Sequence, residues 1–377
     1  MEPYDPIGVA IGSFVFFPEL ETGALWNSNV LQSPMSQSNI AAELRPAACL
    51  VSKWSSHTLE LRGTAALSYY EDFDSENDAT YTVEVRGRFD VSKFTNVQAI
   101  LSQDSRLESR SSIGASAIGS RSKVETSRAE AATNHRFNRL SLRMRGSISD
   151  CAYGDTKILG VTISNSDRDY RQTEQAARAT WEFKPTLSAF AEVAINQRDY
   201  DQVAASDLIN RSSNGGRYRL GLAFGNTSEV LRGEVSIGYG VQTPEDDQLH
   251  RVDGLILDAN ATWRMTELTS ILFNARSDVT EKTTVNIGGA FSRSAGAEVR
   301  HALRRYLIAS AGLAYSIADS QDGVIEDREI SATFGIEYFV SPEAILFGSY
   351  LHTNFDSVGA GSDFQTDEVH LGVRIRR

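Results

Sequence analysis

Two consecutive runs, within Gly216–Val241, constrain this chain more than any other feature. The first places Tyr218, Leu220, Leu222 and Phe224 on one face and Arg217, Arg219, Gly221 and Ala223 on the other. After a turn at Asn226–Thr227–Ser228, the second puts Leu231, Val235, Ile237 and Tyr239 opposite Arg232, Glu234, Ser236 and Gly238. A side-chain period of two is that of a β-strand, and two such runs joined by a few turn residues form a hairpin. One face is apolar and tipped with tyrosine, while the other is small, polar or charged. A soluble barrel packed with side chains reverses this arrangement. It is the pattern of an outer-membrane barrel, apolar towards lipid and polar towards water inside.

The same pattern recurs along the chain. Strands are predicted at 18–30, 40–53, 57–71, 78–91, 94–107, 122–136, 140–151, 169–184, 187–200, 214–226, 229–242, 251–265, 268–280, 288–303, 306–319, 326–341, 344–356 and 365–376. These are 18 strands, an even number, mostly longer than the roughly 5–6 residues of a soluble strand and long enough to cross a bilayer at a tilt. Alternation is poorest in 122–136, and the run from Ile271 to Leu303 offers few breaks. Connections alternate in length. Short ones fall at Trp54–Ser56, Ser92–Lys93, Asn138–Arg139, Lys184–Thr186, Thr227–Ser228, Thr266–Glu267, Arg304–Arg305 and Pro342–Glu343, with longer loops such as 108–121, 152–168, 201–213 and 243–250 between them. Short periplasmic turns and longer external loops are the habit of bacterial outer-membrane barrels. The predicted fold is therefore all-β: residues 18–377 form a single closed antiparallel transmembrane β-barrel, with both termini in the periplasm. Residues 1–17 precede it as a periplasmic lead-in, a plug or the start of the first strand. Closure follows because an open strand edge in hydrocarbon leaves backbone N–H and C=O groups unpaired, at several kcal/mol each. A barrel this wide is an aqueous channel unless a segment fills it.

Composition agrees. The chain has 377 residues, of which 41% are hydrophobic, and no run is long enough for a membrane helix. The net charge of −12 argues against a nucleic-acid partner. Cys49 and Cys151, far apart in sequence, are read as unpaired. No signal peptide opens the chain, and a barrel reading leads us to expect that the numbering begins after a removed one.

Alternation assigns faces. Leu59, Leu61, Leu67, Val83, Val85, Leu142, Met144, Leu255, Leu257, Leu313, Ile336, Leu371 and Val373 are expected to face lipid. Tyr69, Phe89, Trp181, Tyr218, Tyr239, Trp263, Tyr315 and Tyr338 fall near strand ends, where interfacial girdles form. The opposite face carries the candidate lumen-lining residues Glu60, Arg62, Glu84, Arg86, Arg88, Arg143, Arg145, Arg178, Glu182, Glu192, Arg217, Arg219, Arg232, Glu234, Arg264, Glu298, Arg300, Glu337 and Arg374. A charge on the lipid face at mid-bilayer costs about 2–4 kcal/mol, so these groups must be wet. They would brace the wall by pairing across strands, form a track for an anionic solute, or do both.

The long loops hold the acid excess: Asp72, Asp74, Glu76 and Asp78; Asp201 and Asp207; Glu245, Asp246 and Asp247; Asp319, Asp322, Glu326 and Asp327. They are read as solvated loop tips, with divalent cations bridging lipopolysaccharide as the alternative. Asp319–Gly323 has part of a calcium-loop spacing without the full ligand set, so no metal is assigned, and no cofactor motif is present. His57, His135, His250, His301, His352 and His370 lie outside any GxSxG or HExxH motif, which argues against an enzyme. A barrel hydrolase would need one of them beside a nucleophile at the rim.

The N-terminal stretch Tyr4–Val30 resembles the entry signature of a bacterial outer-membrane family, the β-barrel porins of the second type. The resemblance rests on Tyr4, Pro6, Gly8, Gly12–Ser13–Phe14, Pro18, Leu20–Glu21, Gly23 and Asn29–Val30, and the hairpin pattern extends it to Arg377. Many members are encoded beside exopolysaccharide synthesis genes. The resemblance implies an outer-membrane channel that exports an exopolysaccharide, surrounded by lipid and lipopolysaccharide and served by a periplasmic export protein. A general diffusion porin, or a plugged barrel acting as a scaffold for such a complex, are the alternatives. The last strand ends in Arg377 rather than in the aromatic residue usual at this position.

Overall fold

The computed structural model describes residues 4–110, 119–158, 160–205, 207–226, 229–280, 290–320, 326–358 and 363–377. The chain opens with a small hairpin, β1 (Val9–Ile11) and β2 (Phe14–Asn27), followed by β3 (Asn39–Ser52), β4 (Thr58–Tyr70), β5 (Asp78–Asp90) and β6 (Thr95–Leu107). Next come β7 (Lys123–Phe137), β8 (Leu140–Tyr153), a two-stranded flap of β9 (Thr156–Ile158) and β10 (Val161–Ile163), then β11 (Tyr170–Lys184) and β12 (Leu187–Tyr200). The second half contains β13 (Ser213–Phe224), β14 (Leu231–Pro244), β15 (Val252–Trp263), β16 (Thr269–Thr280) and β17 (Ala290–Arg304). It ends with β18 (Leu307–Ser320), β19 (Glu326–Phe339), β20 (Ala344–Val358) and β21 (Phe364–Arg376).

Eighteen of these strands form the barrel: β2 to β8 and β11 to β21, each antiparallel to its neighbours. The ring closes where β2 pairs with β21, from Glu19↔Arg376 to Asn27↔Glu368. The predicted strands correspond to these one for one, with ends displaced by a few residues. The largest displacement is at the first, which begins at Phe14 rather than at residue 18. Pro18 lies inside β2 because it costs no ladder bond there. The partner β1 ends opposite Phe16, and β21 begins opposite Glu19, so the missing N–H falls in the gap between them. Pro46 is tolerated similarly, since the β3–β4 ladder lapses between Leu44↔Leu67 and Ala47↔Thr64.

The two ends of the barrel differ. One holds both termini and the short turns, among them Asn138–Arg139, where Asn138 takes φ +54°, a conformation asparagine accepts more readily than most residues. The expected turn at Thr227–Ser228 lies outside the described residues. The other end holds the long loops, which are tied together by buried polar groups. Arg110 and Arg121 converge on the buried Glu76 at 2.9 and 3.2 Å, Arg168 pairs with Glu108, and Arg211 meets Asp207 at 2.7 Å. Glu76 and Asp207 are thus not the solvated loop tips expected of them. Each is an internal anchor, because burial is tolerable only with an opposite charge at hand. Asp322 and the rest of 321–323, part of the calcium-like spacing, lie outside the described residues. Among the described residues no three metal-ligating side chains converge. Cys49 and Cys151 are both free thiols.

Outward-facing side chains are apolar and uncovered: Leu61, Val83, Met144, Leu220, Leu313 and Leu371 are all exposed. The girdle residues are exposed too, and they fall into two tiers. Phe89, Trp181, Trp263 and Tyr338 lie near the short turns, whereas Tyr69, Tyr218, Tyr239 and Tyr315 lie towards the long loops. The separation of the tiers marks the apolar band of a membrane-spanning wall. At the short-turn end the N-terminal segment docks on the inner wall. The Tyr4 ring packs against Ile308, Phe339 and Ile345, and its carbonyl accepts a 2.6 Å hydrogen bond from Arg376. Gly12, at φ +57°, allows the tight turn that sends β1 back along β2.

Candidate functional site: the inner wall of the barrel

Three ion pairs identify the concave face. Arg217 on β13 reaches Asp278 on β16 at 3.4 Å, Arg178 on β11 reaches Glu234 on β14 at 2.6 Å, and Arg374 on β21 reaches Glu337 on β19 at 2.9 Å. Each pair skips one or two intervening strands, which side chains can do only across the inside of a curved sheet. The pairing register then carries every charged residue of matching parity to that side. The ladder Arg143↔Arg178↔Glu192↔Arg219↔Gly238 is one such row.

On this wall the charges are grouped in three ways. Along β4, β5 and β6 they pair within a strand, two residues apart. Glu60 meets Arg62 at 3.1 Å, Glu84 meets Arg86 at 2.5 Å, and Arg88 meets Asp90 at 2.8 Å. These arginines are well exposed, and pairs of this kind contribute only about 0–1 kcal/mol each.

From β7 to β16 the pairs connect across strands. Glu130 receives Arg145 of β8 at 3.5 Å, with Arg143 3.7 Å away, in addition to Arg128 of its own strand at 2.8 Å. Arg145 continues to Glu174 at 2.5 Å, and Arg217 links Glu174 to Asp278. A parallel chain joins Asp258 and Glu192 through Arg219, then Glu192 and Glu234 through Arg178. The Arg178 guanidinium lies 3.5 Å from the centre of the buried Phe190 ring, which adds a cation–π contact.

The third group straddles the closing strands. Arg374 bridges Glu21 and Glu337, both at 2.9 Å, and Arg300 joins Glu337 at 3.4 Å to Glu298 at 3.8 Å. Arg45 lies between Glu21 and Glu43, and His370 between Glu43 at 2.9 Å and Glu368 at 3.5 Å.

Of the candidate residues, Arg143, Arg145, Arg178, Glu192, Arg217, Arg219 and Glu234 are thus brought together in the cross-strand chains, and Glu298, Arg300, Glu337 and Arg374 in the closing group. Glu182 stands apart near the short turns, paired with Arg136 at 2.6 Å. Arg232 and Arg264 are also at that end, with no carboxylate partner among the described residues. Sequence reasoning passed over Glu21, Glu43, Arg45, Glu130, Glu174, Asp258 and Asp278, which complete the chains. Their parity was the available signal: Glu174 and Arg178 are four residues apart on one strand, hence on one face.

The histidines do not build a hydrolase. His370 and His352 bond carboxylates, whereas His135 and His301 bond the hydroxyls of Thr95 and Thr269. Among the described residues none joins a carboxylate to a serine or threonine hydroxyl.

Residues 2–377 match the family described as putative beta-barrel porin 2. The chain belongs to this family of porins. Among solved structures it is similar to OccK3 (OpdO) of Pseudomonas aeruginosa, at 11% identity over 97% of this chain and 96% of that one, with a TM-score of 0.50. OccAB4 of Acinetobacter baumannii is 8% identical over 96% of this chain and 98% of that one, with a TM-score of 0.48. At such identities the likeness concerns the fold. No curated protein matches the chain. The porin is accordingly an outer-membrane barrel and not an enzyme, with its short turns in the periplasm and its long loops outside.

Proposed function

We propose that this porin is a passive, water-filled channel and that its cargo is an exopolysaccharide bound for the cell surface. The observation that carries the channel is the inner wall itself: its charges are polar and wet but largely neutralised by one another. Arg145, Arg178, Arg217 and Arg219 each touch two carboxylates and Arg374 touches three, so a hydrophilic solute meets polar groups without a strong single-sign field to hold it. Weak retention suits a polymer that must slide rather than dock. The polysaccharide itself rests on the family resemblance. In this reading the inner-face arginines and glutamates line the pore, and inner-membrane machinery supplies any drive.

Planar-bilayer recording tests the channel: ohmic steps are expected, and a purified barrel without conductance would reject an open pore. Deleting the gene tests the cargo. Loss of surface polymer while the polymer is still synthesised is expected of an exporter, whereas unchanged surface polymer would leave a general diffusion porin. One observation favours a plugged barrel acting as a scaffold for an export complex. Tyr4 is anchored inside the periplasmic mouth by Ile308, Phe339 and Ile345. Conductance appearing only after removal of residues 1–13 would select that alternative.

A further inference from the structure

The wall is not continuous around its whole circumference. Strand β15 pairs with β14 up to Gln242↔Val252, and β16 pairs with β17 up to Thr280↔Ala290. Yet β15 and β16 pair with each other only from Trp263↔Ile271 to Asp258↔Arg276. Above that level the two strands part. Among the described residues a single side chain spans the gap: the Ser277 hydroxyl accepts a 2.6 Å hydrogen bond from the Leu257 amide and lies 3.4 Å from the Leu257 carbonyl.

The described residues of the β16–β17 hairpin above the split, 277–280 and 290–293, then curl inside β14 and β15, while β17 stays paired with β18 up to Ala290↔Ser320. Gly240 and Gly254 are cross-strand partners on the inner face of β14 and β15, which also bears Ser236, Gly238 and Ile256. A Cβ built on Gly254 would stand 2.9 Å from the Phe291 ring, and one on Gly240 would stand 3.7 Å from a Val279 methyl. Val279 and Phe291 have the parity of Ile271, Phe273, Ala297 and Val299, which face outwards lower in the same strands. The face that meets lipid below the split is therefore laid on the inner wall above it. Burial agrees: Ile256 is 4% exposed while its neighbour Leu255 is 70% exposed, and Phe291 is only 8% exposed. The other face of the hairpin carries Arg276 and Asp278 into the bore. Asp278 pairs with Arg217 of β13 and with Arg276 at 3.0 Å.

We infer that this hairpin is the constriction of the channel: seated on the Gly240–Gly254 pair and tied by Asp278 to Arg217, it sets the size of solute that passes. Gly254 is needed at the seat because even a Cβ there would crowd the Phe291 ring, whereas Gly240 stands at ordinary contact distance from Val279. The chain Arg145–Glu174–Arg217–Asp278 anchors its inner edge, so the narrowest section is bordered by alternating charges. This rests on the channel reading and adds to it the element that governs bore.

The test uses the full chain with Gly254→Trp, which pushes β16 and β17 off the wall and further into the bore, and Asp278→Asn, which cuts the tie while keeping side-chain volume. Heat-modifiable migration confirms that each variant is folded. Gly254→Trp is expected to lower single-channel conductance by about twofold or more as the water-filled section narrows, and Asp278→Asn to raise it and to admit larger sugars in liposome swelling. Conductance confined to Asp278→Asn would support the constriction equally. A conducting parent whose folded variants keep the same conductance and the same size limit would overturn it and leave the channel standing. Silence from the parent and both variants would overturn the channel and the constriction together.

Discussion

Two seams interrupt the regular succession of hairpins, and they are built in opposite ways. At the seam between β2 and β21 the ladder runs without interruption from Glu19↔Arg376 to Asn27↔Glu368 and is reinforced from inside. Arg374 spans it to Glu21, the buried Asn27 accepts from the Thr366 hydroxyl and donates to Glu368, and the Arg377 amide reaches Pro18. At the seam between β15 and β16 the ladder stops partway, and one serine bridges the opening. Unpaired backbone is intolerable in hydrocarbon, so the position of the opening matters. It begins near Leu257, close to the level at which Tyr239 faces Leu255 and Tyr218 faces Tyr239 in the external girdle. There, interfacial water can satisfy what the ladder does not. Closure is thus secured by redundancy, whereas the split is placed where the surroundings forgive it.

Substitutions at the two seams separate these designs. The largest effect is expected from Arg374→Met, which removes a positive charge shared by Glu21 and Glu337. Other arginines still touch both carboxylates, so the loss should be about 2–4 kcal/mol, measured by denaturant unfolding in lipid vesicles. Asn27→Ala unties the loop-side end of the closing seam and leaves the Asn29 amide and the Thr366 hydroxyl without their acceptor. A loss of about 1–3 kcal/mol is expected, with faster hydrogen exchange in β2 and β21. Ser277→Ala should cost about 1 kcal/mol and raise exchange at Leu257 alone, because little else spans that opening. If Ser277→Ala instead weakened the barrel as much as Asn27→Ala, the contrast between the seams would be lost. Arg62→Ala, in the exposed strand-wise pairs of β4, should change stability by no more than about 0.5 kcal/mol while shifting the ion selectivity of the pore.

Most of the wall could be read from the sequence because its information is local. A period of two assigns each side chain to a face without knowledge of its neighbours, and turn residues mark the reversals. That is enough to find eighteen strands and both girdles. What escaped depends on register. Nothing in Gly240 or Gly254 alone says that the two are partners, and nothing in Val279 says that its strand has left the wall. The parity of Val279 and Phe291 is that of lipid-facing residues, and it remains so; only the partner surface has changed. The unbroken run from Ile271 to Leu303 was a trace of this, since one apolar stripe serves two surfaces. The loop anchors Glu76 and Asp207 escaped for a similar reason. A carboxylate in a polar loop looks solvated until the fold brings Arg110 or Arg211 to it.

The pairing of Glu19 with Arg376 has a consequence for how the molecule comes into being. The two strands that complete the ring are the outermost barrel strands in chain order, so every other hairpin can form before they meet, and none can substitute for them. Such distant pairing makes ring formation slow. Until it happens, the nascent sheet carries two raw edges, and shielding those edges from other chains is the task left to whatever escorts it across the periplasm.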